Sequence, residues 1–192
     1  MISTFVTELL SNSETRQLFE RSFTIREVAA KTTLLREGEV ADTMYLVRSG
    51  CLRLWFNDDG RDVTFQFFFE DQPVSSLESF LGREPSLFSL ESLEPTRVAA
   101  IGREEWDVLF AQLPEMRERF MSFLVQRLGN YSRLFLSRIK DSPQQRYEAL
   151  LREHPEIVQR VPQHYIASYL GITPVSLSRI RRRRVSRGKG AS

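Results

Sequence analysis

Guanidinium groups are the most concentrated chemistry in this chain. Residues 157–192 hold eight Arg or Lys (Arg160, Arg179, Arg181, Arg182, Arg183, Arg184, Arg187 and Lys189) and neither Asp nor Glu. The whole chain is only +2, so residues 1–156, with 19 basic against 25 acidic residues, are net negative by six. A guanidinium is planar, always charged, and donates paired hydrogen bonds to phosphates and to base edges. A cationic end on an acidic body is the electrostatic footprint of a nucleic-acid binder. Other chemistry is thinly supplied. The single Cys51 excludes an internal disulfide and a four-cysteine iron–sulfur centre, and its place in the apolar run YLVRSGCLRLW makes it a buried thiol. His154 and His164 stand ten apart with no Cys or carboxylate at ligand spacing, so no metal site is expected. The stretch Phe23–Arg103 contains no His, which argues against a cupin-like metal enzyme and for a chain that is not an enzyme.

The arginines need elements to aim them. In PQHYIASYLGITPVSLSRIRRRR, Pro162 suits the first turn of a helix that carries Ile166, Ala167 and Leu170. Gly171 permits a left-handed turn. Thr173 is a candidate N-cap with Pro174 at the first helical position, and a second helix follows. Two short helices joined this way form a helix-turn-helix, and the small Ala167 lets them cross closely. The inward set is Ile166, Ala167, Leu170, Ile172, Leu177 and Ile180. Thr173, Val175, Ser176, Ser178, Arg179, Arg181, Arg182 and Arg183 are the candidate contacts to double-stranded DNA. Arg179 is the candidate guanine reader, and the Arg181–Arg184 run suits phosphates. Val185–Ser192 reads as an unstructured basic tail.

The remainder divides by period. Ile2–Glu20 reads as an amphipathic helix, not a secretory leader, which points to the cytoplasm. No apolar run approaches the roughly 18 residues of a membrane span, so no membrane partner is expected. Phe23–Arg103 holds short Val-, Leu-, Phe- and Thr-rich runs between turn signals, with Asp59-Gly60 as a hairpin tip, and predicts a β-sandwich or barrel. Leu77–Leu81 fits one helical turn. Phe65, Phe67, Phe68 and Phe69 suggest a strand buried on both faces. A short helix over Glu104–Gln112 precedes Pro114, and Glu115–Lys140 predicts a helix about 39 Å long. Its stripe Phe120, Leu124, Leu128, Tyr131, Phe135 and Ile139 suits a two-fold seam, or else intrachain core. Asp141-Ser142-Pro143 ends it. Short helices over Gln144–Glu153 and Glu156–Arg160 follow.

With these features the chain resembles a Crp/Fnr-family bacterial transcription regulator, in a divergent branch common in Bacteroidetes-type bacteria. The best-matching stretches are LLREGEVADTMYLVRSGCLRLW, with Gly38 and Gly50 at the family's turn positions, and YIASYLGITPVSLSRIRRR. The resemblance implies an α+β chain. Residues 1–113 would form a cyclic-nucleotide-binding-like β-roll (a double-stranded β-helix) with flanking helices. Residues 114–141 would be a long dimerisation helix, and 142–192 a helix-turn-helix domain with a basic tail. A homodimer on DNA is implied, with Phe120, Leu124, Leu128, Tyr131 and Phe135 at its interface and RNA polymerase as a further partner. The implied effector pocket is Glu78, Arg83, Ser86 and Leu87. Glu78 falls at the family's ribose-binding Glu, but Ser86 stands at the phosphate-binding Arg position and Leu87 at the following Ser. Arg83 is the nearby substitute. A cyclic phosphate stays anionic at neutral pH, and burying it without that Arg leaves it poorly paired, so no cyclic-nucleotide cofactor is expected. Pro174-Val175 replaces the family's Arg-Glu, so the operator should differ; Arg179 matches a base-contacting Arg. The family's β-wing is expected to be missing after the second helix. A competing class is a β-roll sensor that acts through protein or anionic-surface contacts and binds no specific DNA.

Overall fold

The computed structural model describes residue 17 and residues 21–189, with side chains in the last helix as far as Arg183. The helix expected over Ile2–Glu20 therefore lies almost wholly outside the described residues. Eight strands follow one another: β1 (Thr24–Val28), β2 (Thr33–Leu35), β3 (Thr43–Ser49), β4 (Leu52–Asp58), β5 (Arg61–Phe68), β6 (Pro73–Val74), β7 (Ser89–Ser92) and β8 (Thr96–Gly102). They make two four-stranded sheets, ordered β1-β8-β3-β6 and β2-β7-β4-β5. Pairing is antiparallel where β8 meets β1 and β3 and where β7 meets β2 and β4. Late strands thus return between early ones, which makes the sheets a β-roll. The corner from β3 to β4 is Gly50, at φ +101°. A Cβ there would stand 2.5 Å from Thr96 Oγ1 and 2.8 Å from the Pro95 carbonyl, so both backbone and space demand glycine.

Packing divides the described chain into two units, and the division differs from boundaries at 113/114 and 141/142. One unit runs up to Phe56 and resumes over Gln66–Leu128; the other holds Asn57–Phe65 and the chain from Gly129 onward. In the first, Phe67 and Phe68 at the end of β5 and Phe69 just after it are buried, whereas Phe65, which belongs to the other unit, is half-buried, so both faces are covered only at the strand's end. The first unit's helices are α1 (Leu77–Gly82), α2 (Arg103–Gln112) and the first half of α3 (Pro114–Lys140). They meet in an aromatic cluster in which Trp106 lies 5.7 Å from Phe80, 4.6 Å from Phe110 and 5.0 Å from Phe120, between ring centroids.

This cluster corrects the expected interface stripe. Phe120 is 4% exposed and packs within its own chain, with Phe123 stacked beside it. Leu124 and Tyr131 are half-buried, whereas Leu128 and Phe135 are exposed. Arg127, from the same helix, is buried with its guanidinium 4.8 Å over Phe68 and 5.5 Å over Phe123, and donates to the Pro73 carbonyl at 3.2 Å.

The second unit contains the β4–β5 hairpin tip, the rest of α3, and α4 (Pro143–Glu153), α5 (Pro155–Arg160), α6 (Gln163–Tyr169) and α7 (Pro174–Lys189). Ser142 caps α4 reciprocally with Gln145, and Pro143 takes the first helical position, so the expected chain break is also a helix start. α7 runs on to Lys189, through much of the tail expected to be unstructured. Good helix formers (Arg) continue past Ile180, and no proline intervenes. No helix among the described residues is long and apolar enough to cross a membrane.

Candidate nucleic-acid interface

The turn between α6 and α7 is built from the backbone upward. Gly171 has φ +66°. Its N–H donates to the Ser168 carbonyl at 2.9 Å, and the Ile172 N–H reaches back to the Ala167 carbonyl at 3.0 Å. That pair of bonds is a Schellman motif, which ends a helix on a left-handed residue and satisfies its last carbonyls. Two guanidiniums serve the same carbonyl row. Arg138, from the end of α3, donates to the Tyr169 carbonyl. Arg146, from α4, donates through Nε and Nη2 to the Leu170 carbonyl at 3.2 and 2.9 Å, and through Nη1 to the Asp141 carbonyl at 2.6 Å. Cations at a helix C-terminus also oppose its negative dipole end. Burial, then the charge of Arg146, lowers the pKa of Arg138; burial pushes the Tyr169 phenol up, partly offset by Arg138. Ser168, on the same helix, accepts the Thr64 N–H at 2.8 Å and donates to the Asp62 carbonyl at 2.9 Å, tying the hairpin tip to α6.

A Cβ on Gly171 would fall 2.7 Å from Arg138 Nη1, besides requiring the left-handed backbone. Gly171→Ala should therefore cost about 1–2 kcal/mol, measured as thermal unfolding, through backbone strain and displacement of Arg138. A loss below a few tenths would show that the turn rearranges freely.

At the start of α7, Thr173 Oγ1 accepts the Ser176 N–H at 3.2 Å and lies 3.0 Å from Ser176 Oγ. Pro174 follows at the first helical position, as its fixed φ favours. Of the expected inward set, Ile166, Ala167, Leu170 and Leu177 are buried, and Ile172 and Ile180 are half-buried. The other face splits. Thr173, Val175, Arg179, Arg182 and Arg183 are exposed, while Ser176, Ser178 and Arg181 are half-buried. Val175, Arg179 and Arg182 fall four and three apart and so share one face. Arg181 stands four after Leu177, toward the packed side. The two hydroxyls of Thr173 and Ser176 engage each other, which their spacing as a cap already foreshadows.

Of the residues of the implied effector pocket, Glu78 and Ser86 are linked through Ser76, whereas Arg83 pairs with Asp42 and Leu87 is exposed. Ser86 is buried, and its Oγ donates to the Phe88 carbonyl at 2.7 Å, accepts the Phe88 N–H at 3.0 Å and lies 2.6 Å from Ser76 Oγ. Ser76 Oγ in turn donates to the Glu78 carboxylate at 2.5 Å. Arg83 sits at φ +61° as the cap of α1, and its guanidinium reaches outward to Asp42 at 2.5 Å. Leu87 is exposed. Sequence reading missed Arg53, which is 0% exposed and pairs across β4–β7 with Glu91 at 2.6 Å. Its strand alternates with apolar residues like any solvent-facing position, so only the strand register reveals the partner.

Residues 25–113 match the family model of the cyclic nucleotide-binding domain. The transcriptional activator protein Anr of Pseudomonas protegens is 29% identical over 62% of this chain and 48% of its own length. The anaerobic regulatory protein of Bacillus subtilis is 27% identical over 69% of this chain and 54% of its own. The chain thus spans about half the length of these relatives. Among solved structures, the c-di-GMP-responsive global regulator CLP of Xanthomonas campestris shares the fold with a TM-score of 0.74, at 20% identity over 92% of this chain and 93% of that one.

Proposed function

We propose that this chain belongs to the Crp/Fnr family and is a transcription regulator that binds double-stranded DNA as a homodimer through α7. The observation that carries the reading is the face of Val175, Arg179 and Arg182. It is exposed on a helix whose opposite side is buried through Leu177 and whose start is fixed by the Gly171 turn. A helix held this way presents its first turns to the major groove, where Arg179 can donate two hydrogen bonds to guanine. The regulator names of the curated relatives support the same reading.

The homodimer places two such helices about 34 Å apart on one face of the duplex, so the operator is roughly palindromic. Its interface runs along α3 on the exposed residues Met121, Val125, Leu128, Phe135 and Ile139. Together with the exposed Ser132 their spacing is 4-3-4-3-4, a strict coiled-coil heptad that the stripe through Phe120 lacks. A shallow groove beside Arg117, Met121, Val125 and Gln126 continues that face. We also propose that the β-roll does not answer to cyclic AMP, because Ser86 stands where the family's phosphate-binding Arg would be and its hydroxyl is bonded to Phe88. The protein works in the cytoplasm and catalyses no reaction.

The test is selection of binding sites from random duplex DNA by the full chain, followed by affinity measured across salt. Affinity should fall with log salt at a slope of about −0.9 per neutralised phosphate. Arg179→Ala should lose about 1–3 kcal/mol at one base position and relax preference there. Equal losses on selected and random DNA would reduce Arg179 to a phosphate contact. If no sequence is enriched while anionic vesicles are bound, the surface-binding alternative takes over.

A further inference from the structure

We infer that Val175 reads a thymine methyl group in the major groove, and so sets the base preference beside the one set by Arg179. This rests on the reading of the chain as a DNA-binding regulator. Val175 is 61% exposed at the second position of α7, and it is the single exposed large apolar side chain among the described residues after Ile139. Its neighbours in that first turn offer the duplex little. Pro174 has no N–H to give. The Thr173 and Ser176 hydroxyls are 3.0 Å apart and hold the helix cap. What projects from the first turn toward the groove is therefore a branched pair of methyls.

The floor of the major groove is lined by hydrogen-bonding groups, and an apolar side chain pressed against them strips their water without replacing it. The thymine C5-methyl is the apolar group that the four bases present there. Val175 is complementary to it and to no donor or acceptor. The four-residue step from Val175 to Arg179 is about 6 Å along the helix, roughly two base-pair steps. Thymine and guanine should accordingly stand within about two positions of each other in each half-site.

The experiment begins with sites selected by the full-length chain from random duplex DNA. Each thymine of the selected site is then replaced in turn by uracil, which removes the methyl and keeps the pairing. At one thymine per half-site, uracil should weaken wild-type binding about three- to five-fold, the scale of one buried methyl. Val175→Ala should bind the thymine and uracil duplexes alike. Val175→Glu should move the preference at that position to cytosine, whose amino group a carboxylate accepts from. Indifference of the wild type to uracil at every thymine overturns the assignment. So does a Val175→Ala protein that still separates thymine from uracil, or a Val175→Glu protein that keeps the thymine preference. In each of these cases sequence-selective binding survives, so the regulator reading stands. A chain that enriches no sequence overturns both.

Discussion

Glu91→Ala should lower the unfolding free energy by about 3–5 kcal/mol, the range for removing one partner of a buried ion pair. Urea unfolding followed by tryptophan fluorescence reads this directly, because Trp55 and Trp106 both belong to the unit that contains the pair. The size of the effect comes from Arg53, not from the pair's own attraction. Its guanidinium is wholly buried, lies 5.1 Å over the Trp55 ring and meets the Glu91 carboxylate at 2.6 Å. Without that carboxylate a cation remains in a place water does not reach. Exposed pairs behave otherwise: Arg61 and Asp58, 78% and 50% exposed, are 3.0 Å apart at the hairpin tip, and their separation is worth about 0–1 kcal/mol. The double change Arg53→Met with Glu91→Leu should recover most of the loss, since an apolar pair of similar volume avoids desolvation altogether. A single-variant loss under about 1 kcal/mol would mean that solvent reaches Arg53.

Local chemistry was legible in the sequence; register and choice of face were not. The helix-turn-helix could be read because its signals are neighbours. Gly171 at the left-handed turn, Thr173 at the cap and Pro174 after it each act within a few residues. The hairpin at Asp59-Gly60 and the doubly covered Phe67–Phe69 stretch are similarly local. The Arg53–Glu91 pair spans 38 positions and exists only because β4 and β7 align Arg53 opposite Glu91. Nothing in LRLW or SLES distinguishes a buried ion pair from two solvated charges. The same holds for Arg138 and Arg146, which cap α6 from other helices, and for Ser168, whose hydroxyl closes on a hairpin more than a hundred residues earlier. In the pocket, the substitution of Ser and Leu at the phosphate positions was visible. The outward turn of Arg83 to Asp42 was not, because it depends on the left-handed backbone at Arg83 itself.

Choice of face also decides the second large effect. The first half of α3 carries two apolar stripes one residue out of step, Phe120 with Leu124 and Met121 with Val125, which join at Leu128, and periodicity alone assigns either one to the seam. Phe120→Ala should cost about 3–5 kcal/mol of folding stability, because the ring sits among Trp106, Phe110 and Phe123. It should leave the association state of the folded protein unchanged. Met121→Glu with Val125→Glu should do the reverse. The two side chains are 58% and 64% exposed, so the folded chain keeps its fluorescence and helical signal. Across a two-fold axis, however, each new carboxylate faces its own copy, and like charges on a coiled-coil seam oppose pairing. Sedimentation should report a monomer, and operator affinity should fall by about 10²–10⁴, because the two half-sites are no longer bound by one linked particle. The opposite pattern, a dimer that survives the two glutamates and dissolves with Phe120→Ala, would place the seam on the stripe through Phe120, which requires α3 to leave the Trp106 cluster when two chains meet.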